Sequence, residues 1–252
     1  MPEMIRIRDL SLLDLPEGLV LVSACDSIGA IGAKELDVVK VSGYFVGRTA
    51  VRVPLMEILA TGAKPVALFN TLAVEREPYG EEIIQGITHE LELAGTDPDL
   101  IMNGSTEENV PTRQTGVGVV VQGLATKKDL LIGKAQKGDL IMAFGLPKVG
   151  AEVAEGGPDD PEVAKPALIK DLLKWGQVHE LLPIGSKGVL YECGELARTA
   201  KLNFKLNPKT SIDINKSAGP ATCLLAAIAT EALESLQKIE LSIPWQIVGR
   251  LI

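Results

Sequence analysis

Apolar and polar residues follow two rhythms along this chain, a strand rhythm that opens it and a helical one that first takes over near Gly47. Residues 5–10 (IRIRDL) alternate apolar with charged positions, and residues 18–24 (GLVLVSA) form a near-continuous aliphatic run, so both are predicted strands. Asp26 follows the second run directly. Glycines at 29 and 32 free the next loop, and residues 37–41 (DVVKV) predict another strand, which leaves carboxylates at both ends of that loop. From Gly47, apolar Val51, Leu55, Ile58 and Leu59 recur at spacings of three and four, and Gly62 with Pro65 supplies a stop. Pro54 inside this helix predicts a kink or a restart.

Residues 64–72 (KPVALFNTL) predict a further strand, and residues 80–94 an amphipathic helix burying Ile83, Ile84, Ile87 and Leu91. Residues 100–123 read as a strand end, a polar turn and a long strand containing GVGVVV. The chain then turns charged, and Gly138-Asp139 opens a strand over LIMAF, so two domains are expected, 1–130 and 131–252. Residues 156–166 (GGPDDPEVAKP) read as a mobile surface loop with solvating acids. A helix over 167–176, a strand over 178–183, a helix over 189–200, a loop with helix over 212–225 and a closing strand in IPWQIVGRLI complete the pattern.

Composition narrows the function classes. Apolar residues at 46% and charged ones at 23% of 252 positions describe a folding, globular chain rather than a disordered one. A net charge of -8 without a dense Lys/Arg run argues against nucleic acid as a partner. The N-terminus lacks the apolar core of a secretory signal, and the longest apolar run, 223–229, is too short to span a bilayer. A soluble cytoplasmic protein with no membrane partner is expected. Cys25, Cys193 and Cys223 have neither disulfide nor zinc spacing and read as reduced thiols, and with only His89 and His179 a hydrolytic triad has little support.

The candidate chemistry gathers in residues 23–65, where Asp26, Lys34, Asp37, Lys40, Arg48, Arg52 and Glu57 stand among glycines and apolar runs. Charges of both signs on strand, loop and helix suggest a polyanion held with a metal. Arg48 and Arg52 share one helix face, either toward phosphates or as a solvated basic face. Glu107 and Glu108, behind Asn103, Gly104, Ser105 and Thr106, read either as a magnesium and phosphate site or as a capped turn with its acids in water. Gly185, Ser186, Lys187 and Gly188 precede a predicted helix, which gives either an anion site or an ordinary turn.

These motifs, in this order, resemble the aminoimidazole ribonucleotide (AIR) synthetase superfamily, which also includes thiamine-monophosphate kinase, selenophosphate synthetase and a hydrogenase maturation protein. GRTAVRVPLMEILATGAKP is similar to its helix with an MGA-P type ending, Glu57 standing in place of the family's Asp. Cys25-Asp26-Ser27-Ile28-Gly29 with Lys34 resembles its strand-end Asp motif, residues 103–108 its Gly-Gly-Asp/Glu-Thr turn, and Gly138-Asp139 the opening of its second domain. Residues 184–189 occupy the place of its substrate loop, and Ile247-Val248-Gly249-Arg250 resembles its closing strand. The chain departs from the pattern at Ser105, at Pro54 and in a shortened N-terminal arm. Small AIR synthase-related proteins, α-ribazole kinase of corrinoid salvage among them, are the most similar.

The resemblance implies an α/β (α+β) two-domain fold whose N-terminal mixed sheet pairs across a homodimer into a β-barrel. It also implies ATP and Mg²⁺ as cofactors and phosphoryl transfer to a hydroxyl of a small nucleoside-like acceptor. Asp26, Lys34 and Arg52 would be catalytic, and Asp37, Lys40, Arg48, Asn103, Gly104 and Thr106 would bind ATP. Asp26, Glu57, Glu107 and Glu108 would hold the metal, while Gly185, Ser186, Lys187, Gly188 and Glu192 would shape the acceptor pocket. The alternatives are an ATP-dependent synthetase or dehydratase acting through a phosphorylated oxygen, and a catalytically silent nucleotide-binding protein.

Overall fold

A computed structural model describes residues 3–239 and 241–252, a mixed α/β chain that divides into two compact units. The first comprises the residues up to Leu59, Ala63–Lys128 and Gly150–Pro158; the second comprises Ala60–Gly62, Asp129–Val149 and Asp159–Ile252. Apart from the three-residue excursion at Ala60–Gly62, the chain therefore crosses over near residue 130 and returns once, through 150–158, to the first unit.

In the first unit, β1 (Met4–Ile7) and β2 (Leu10–Asp14) form a hairpin where the sequence pattern suggested one strand over 5–10. Next, β3 (Leu19–Gly29) runs past Ala24 and carries Asp26 inside the strand rather than after it. The segment 37–41 contributes only β5 (Val39–Lys40), paired in parallel with β4 (Ile31–Gly32). Helix α1 (Gly43–Ala60) begins earlier than the apolar period suggested and passes through Pro54 as one element. Then come β6 (Lys64–Leu72), α2 (Glu81–Leu93), α3 (Pro98–Ile101), β7 (Met102–Thr106), β8 (Gly116–Thr126) and α4 (Ala151–Gly156).

The six-stranded sheet has the order β1-β2-β3-β8-β6-β7, with β8 antiparallel to both β3 and β6, and β7 parallel to β6. Its inner face carries Val20, Val22, Leu68, Leu72, Val119 and Val121, all buried. Helix α1 lies on this face, where Gly123 leaves room for Ile58 and any Cβ would collide with that side chain. The two helices meet equally closely, since a Cβ at Gly47 would run into the Ile83 carbonyl and one at Gly86 into that of Tyr44.

The second unit is built on β9 (Leu140–Phe144), α5 (Pro166–Trp175), β10 (Val178–Ile184), α6 (Gly188–Thr199), β11 (Phe204–Leu206), β12 (Cys223–Ile228), α7 (Leu233–Leu236) and β13 (Trp245–Leu251). Its sheet order is β10-β12-β9-β13-β11, every pair antiparallel. Strand β12 occupies the segment expected to hold a helix: CLLAAI is buried throughout in the middle of the sheet, and a short run buried on both faces has no period that separates strand from helix. Among the described residues, no helix is long and apolar enough to cross a membrane.

Candidate functional site

Strand direction brings the chemistry of the first unit to one end of its sheet. Because β8 is antiparallel to its neighbours on both sides, the C-terminal ends of β3, β6 and β7 lie together beside the start of β8. One cross-strand row holds Asp26, Val119, Asn70 and Gly104 in register. Asp26 shares strand parity with buried Val22 and Ala24, and Asn70 with buried Leu68 and Leu72, so both point to the inner face.

Asn70 is buried with its amide against β7. It donates to the Asn103 carbonyl at 3.3 Å, and a Cβ at Gly104 would run into it. Sequence reading missed Asn70, although its signal was present: a polar residue on the core-facing parity of an alternating strand. Burial raises the Asp26 carboxyl above the usual carboxylate range; a hydrogen bond from the Ser27 backbone opposes this and the charge of Asp9 adds to it. Asp9, in the β1–β2 turn, was also missed.

The loop between β3 and α1 is tied down by its own charged residues. Asp37 is buried and accepts from the Lys34 backbone N–H at 2.8 Å, the Thr115 N–H at 2.8 Å and the Thr115 hydroxyl at 2.6 Å. Its oxygens organise the loop from a buried position. Lys34 pairs through its ammonium with Glu75, which also accepts from the Thr112 N–H at 2.8 Å and hydroxyl at 2.9 Å. The hydrogen bond from Lys34, followed by that from the Thr112 backbone, holds the Glu75 carboxyl down at about 2. Lys40 is exposed and donates to the Lys34 carbonyl at 2.5 Å and the Glu35 carbonyl at 3.0 Å.

Arg48 and Arg52 are neither on a solvated face nor turned to the loop. Both are fully buried between α1 and α2, with Nε of Arg48 on one oxygen of Glu90 and Nε of Arg52 on the other, the second at 2.9 Å. Arg48 also donates to the Tyr44 hydroxyl at 3.2 Å, and Arg52 to the Pro158 carbonyl at 2.9 Å. The physical reason is local. The Gly47 and Gly86 crossing brings the helices close enough to enclose both guanidiniums, and Glu90 is the buried carboxylate that neutralises them.

Glu107 and Glu108 cap the turn after β7. Glu107 accepts from the backbone of Asn109 at 2.7 Å and Val110 at 3.1 Å, while Glu108 accepts from the Thr106 hydroxyl at 2.6 Å and the Arg76 N–H at 3.1 Å. Exposed Asn103 accepts from the Gly104 N–H at 2.8 Å. Glu57 is buried on α1. The carboxylates Asp26, Glu57, Glu107 and Glu108 do not form one metal-holding group, since among the described residues no three His, Cys, Asp or Glu side chains gather to hold an ion. Asp9 is the carboxylate whose charge acts on Asp26, and Mg²⁺ takes one or two carboxylates and completes its shell with water and substrate phosphates. The observation behind such a fit is a half-buried carboxylate raised in part by its carboxylate neighbour.

In the second unit, Ile184, Cys223, Phe144 and Trp245 end or begin their strands at one edge of the sheet. There Gly185–Gly188 turns from β10 into α6, with Gly188 at φ +81°, where a Cβ would run into the Lys216 and Ile214 carbonyls. Glu192 is buried alongside, its Oε1 3.5 Å from where a Cβ on Gly185 would stand. Lys187 reaches the Tyr191 hydroxyl at 3.0 Å, and exposed Ser186 completes the turn. The facing loop was missed: Ala218 donates to the Gly185 carbonyl at 3.2 Å, and Ser217 accepts from the Gly219 N–H.

The acids of 156–166 are not all solvated either. Asp160 is buried and, with Glu162, receives the Lys148 ammonium at 2.7 and 2.6 Å. These two bonds raise the Lys148 pKa. Burial pushes that of Asp160 up, but the Lys148 and Glu162 hydrogen bonds outweigh it and leave it lowered.

Residues 8–125 match the model of the AIR synthase related protein N-terminal domain. No curated protein sequence matches the chain significantly. Among solved structures, thiamine-monophosphate kinase from Stenotrophomonas maltophilia K279a superposes with a TM-score of 0.68 at 16% identity, covering 98% of this chain and 88% of that one. AaThiL, the thiamine monophosphate kinase of Aquifex aeolicus, complexed with AMPPCP and TMP, gives 0.65 at 14% identity over 96% of this chain and 84% of that one. Thermotoga maritima PurL complexed with ATP gives 0.65 at 19% identity over 100% of this chain, which spans 42% of PurL. The chain thus has the AIR synthase-like fold, and its residues 8–125 are similar to the AIR synthase related protein N-terminal domain.

Proposed function

We propose that the chain is an ATP-dependent phosphoryl transferase acting on a hydroxyl of a small nucleoside-like metabolite, with Asp26 at the centre of its site. The observation that carries this reading is the row at the end of the first unit's sheet. A half-buried carboxylate raised by burial lies on the same face as the Asn70 amide, beside a glycine strand and a loop pinned by Asp37 and Glu75. Phosphoryl transfer asks for alignment and charge neutralisation more than for covalent help. The nucleotide and TMP in the AaThiL structure, which shares this fold, support both an ATP and an acceptor site.

Asp26 and Asp9 are the residues that would hold Mg²⁺, whose chemistry is to neutralise charge on the transferring group. Lys40, exposed and bonded only to carbonyls, is the cation of the first unit best disposed toward phosphate. Asn70 and the backbone of Gly104 fix the far side of the row. Gly185–Gly188 and Glu192 are the residues that would hold the acceptor, and α-ribazole is one candidate within that class.

The outer face of the first sheet supports a homodimer, because Val66 and Phe69 remain 36% and 42% exposed there. Sedimentation as a monomer would count against that pairing. A second reading, an ATP-dependent synthetase, is favoured by the PurL match over the whole of this chain. Incubation with Mg·ATP and a panel of nucleosides and vitamin precursors, read by mass, separates the two. One added phosphate supports the kinase, whereas ADP and free phosphate with an aminated or dehydrated product supports the synthetase. Asp26→Asn abolishes turnover with the fold intact; undiminished turnover would remove Asp26 from the site.

A further inference from the structure

Away from the residues assigned above, the second unit has a cavity of about 320 Å³ at the β13–β11 side of its sheet, at the small end of ligand pockets. Leu140, Leu206, Ile247 and Ile252 give it apolar walls, and Lys205 and Arg250 are its cations. In the ladder Lys205 stands directly opposite Arg250, and Arg250 opposite Leu140.

Both cations are exposed, and neither makes an ion pair or a side-chain hydrogen bond among the described residues. Like charges directly opposite on a sheet are destabilising. A lysine on the edge strand β11 is accounted for by protection against edge pairing. That account does not extend to Arg250, which lies one strand inward on β13.

The walls are held in place. The β13–β9 ladder shifts between Ile247 and Gly249, and a Cβ at Gly249 would stand 2.8 Å from the Lys205 carbonyl, so glycine permits the approach of β11. Asn207 clamps the same stretch, its side-chain amide donating to the Ile247 carbonyl and its backbone N–H to the Val248 carbonyl, each at 2.9 Å. A bulge re-aims the side chains that follow it, and here Arg250 follows.

We propose that this pocket binds a small anion with an apolar body, a carboxylate or phosphate monoester. Its head is held between Lys205 and Arg250, and its hydrocarbon part lies on the four apolar residues. The test uses the full chain with hexanoate, hexyl phosphate or inorganic phosphate, reading acetylation of Lys205 by peptide mass against exposed Lys127 and Lys201 as internal controls. With a probe at about ten times its Kd, labelling of Lys205 falls about tenfold while the controls are unchanged.

Whichever of hexanoate and hexyl phosphate protects at the lower concentration identifies the head group. Arg250→Gln weakens protection about tenfold or more, the worth of one charged hydrogen bond, and as an exposed substitution leaves the thermal melt nearly unchanged. The proposal is overturned if neither amphiphile protects Lys205 in the wild-type chain at millimolar concentration. It is also overturned if Arg250→Gln leaves protection intact, or if inorganic phosphate protects as well as hexyl phosphate.

Discussion

Replacing Glu90 by Gln tests whether Arg48 and Arg52 are scaffold or machinery. The wild-type triad sums to one positive charge, and all three side chains are about 1% exposed, so solvent does not screen them. Glu90→Gln removes the carboxylate that the two enclosed guanidiniums share. Removing one partner of a buried ion pair destabilises by roughly 3–5 kcal/mol. Against a typical total of about 5–15 kcal/mol, that leaves a marginal protein. The companion variant R48M/E90L/R52M removes every charge at similar volume and is expected to be neutral or stabilising, less about 1 kcal/mol each for the donors lost to Tyr44 and the Pro158 carbonyl. Urea denaturation measures both variants, and ATP turnover of the triple variant is the second readout. A loss under about 1 kcal/mol in Glu90→Gln would refute the buried-triad reasoning. A stable triple variant without turnover would return the arginines to the phosphates.

The remaining expectations are simpler. Asp37→Ala leaves the Thr115 hydroxyl and two backbone N–H groups without their acceptor, costing roughly 1.5–3 kcal/mol and raising amide exchange across residues 30–41; unchanged exchange there would contradict its organising role. Glu75 has a folded pKa of about 2 against an ordinary 4.5, so its stabilisation is present above pH 4.5 and is lost as pH falls toward 2. Glu75→Gln should flatten the stability profile in that window and lower stability by a constant amount above pH 4.5. Burial pushes the Cys193 and Cys223 thiols up to about 12, so a thiol-disulfide reagent at pH 8 should titrate one group per native chain, exposed Cys25, and three after denaturation. Gly47→Ala drives a methyl into the Ile83 carbonyl and should lower the melting temperature far more than an exposed Gly→Ala change, as a thermal melt would show.

What could be read from the sequence depended on whether one face of an element meets water. Strand β6 and helix α2 match their apolar periods nearly residue for residue because each has a buried and a less buried side. Strand β12 does not, because both its faces are buried, and β4 and β5 exist only through their mutual pairing. The same limit governs the site. Asp26 stood out because a carboxylate in an aliphatic run is conspicuous. Asp37 stood out too, but which atoms its oxygens meet could not be read, since that depends on Thr115, 78 positions away. Asn70 was legible by parity alone, but Asp9 required the β1–β2 hairpin.

This sorting changes where phosphate chemistry can reside. Of the cations in residues 23–65, Arg48 and Arg52 are bound by Glu90 and Lys34 by Glu75, which leaves exposed Lys40 and, at the opposite end of β6, exposed Lys64. A polyanion at the end of this sheet therefore meets few free side-chain cations from the first unit. On the proposed function, its charge would be balanced chiefly by backbone N–H groups of the glycine-bearing strand ends and by an ion on Asp26 and Asp9. That balance makes binding to the row depend on Mg²⁺ more steeply than on any single lysine or arginine of the helix. The order of effects is thus fixed: Asp26→Asn should weaken Mg·ATP binding more than Lys40→Gln, and the arginine variants should act through stability alone. Nucleotide affinity measured with and without Mg²⁺ on these variants decides it, and the reverse order would place the phosphates elsewhere.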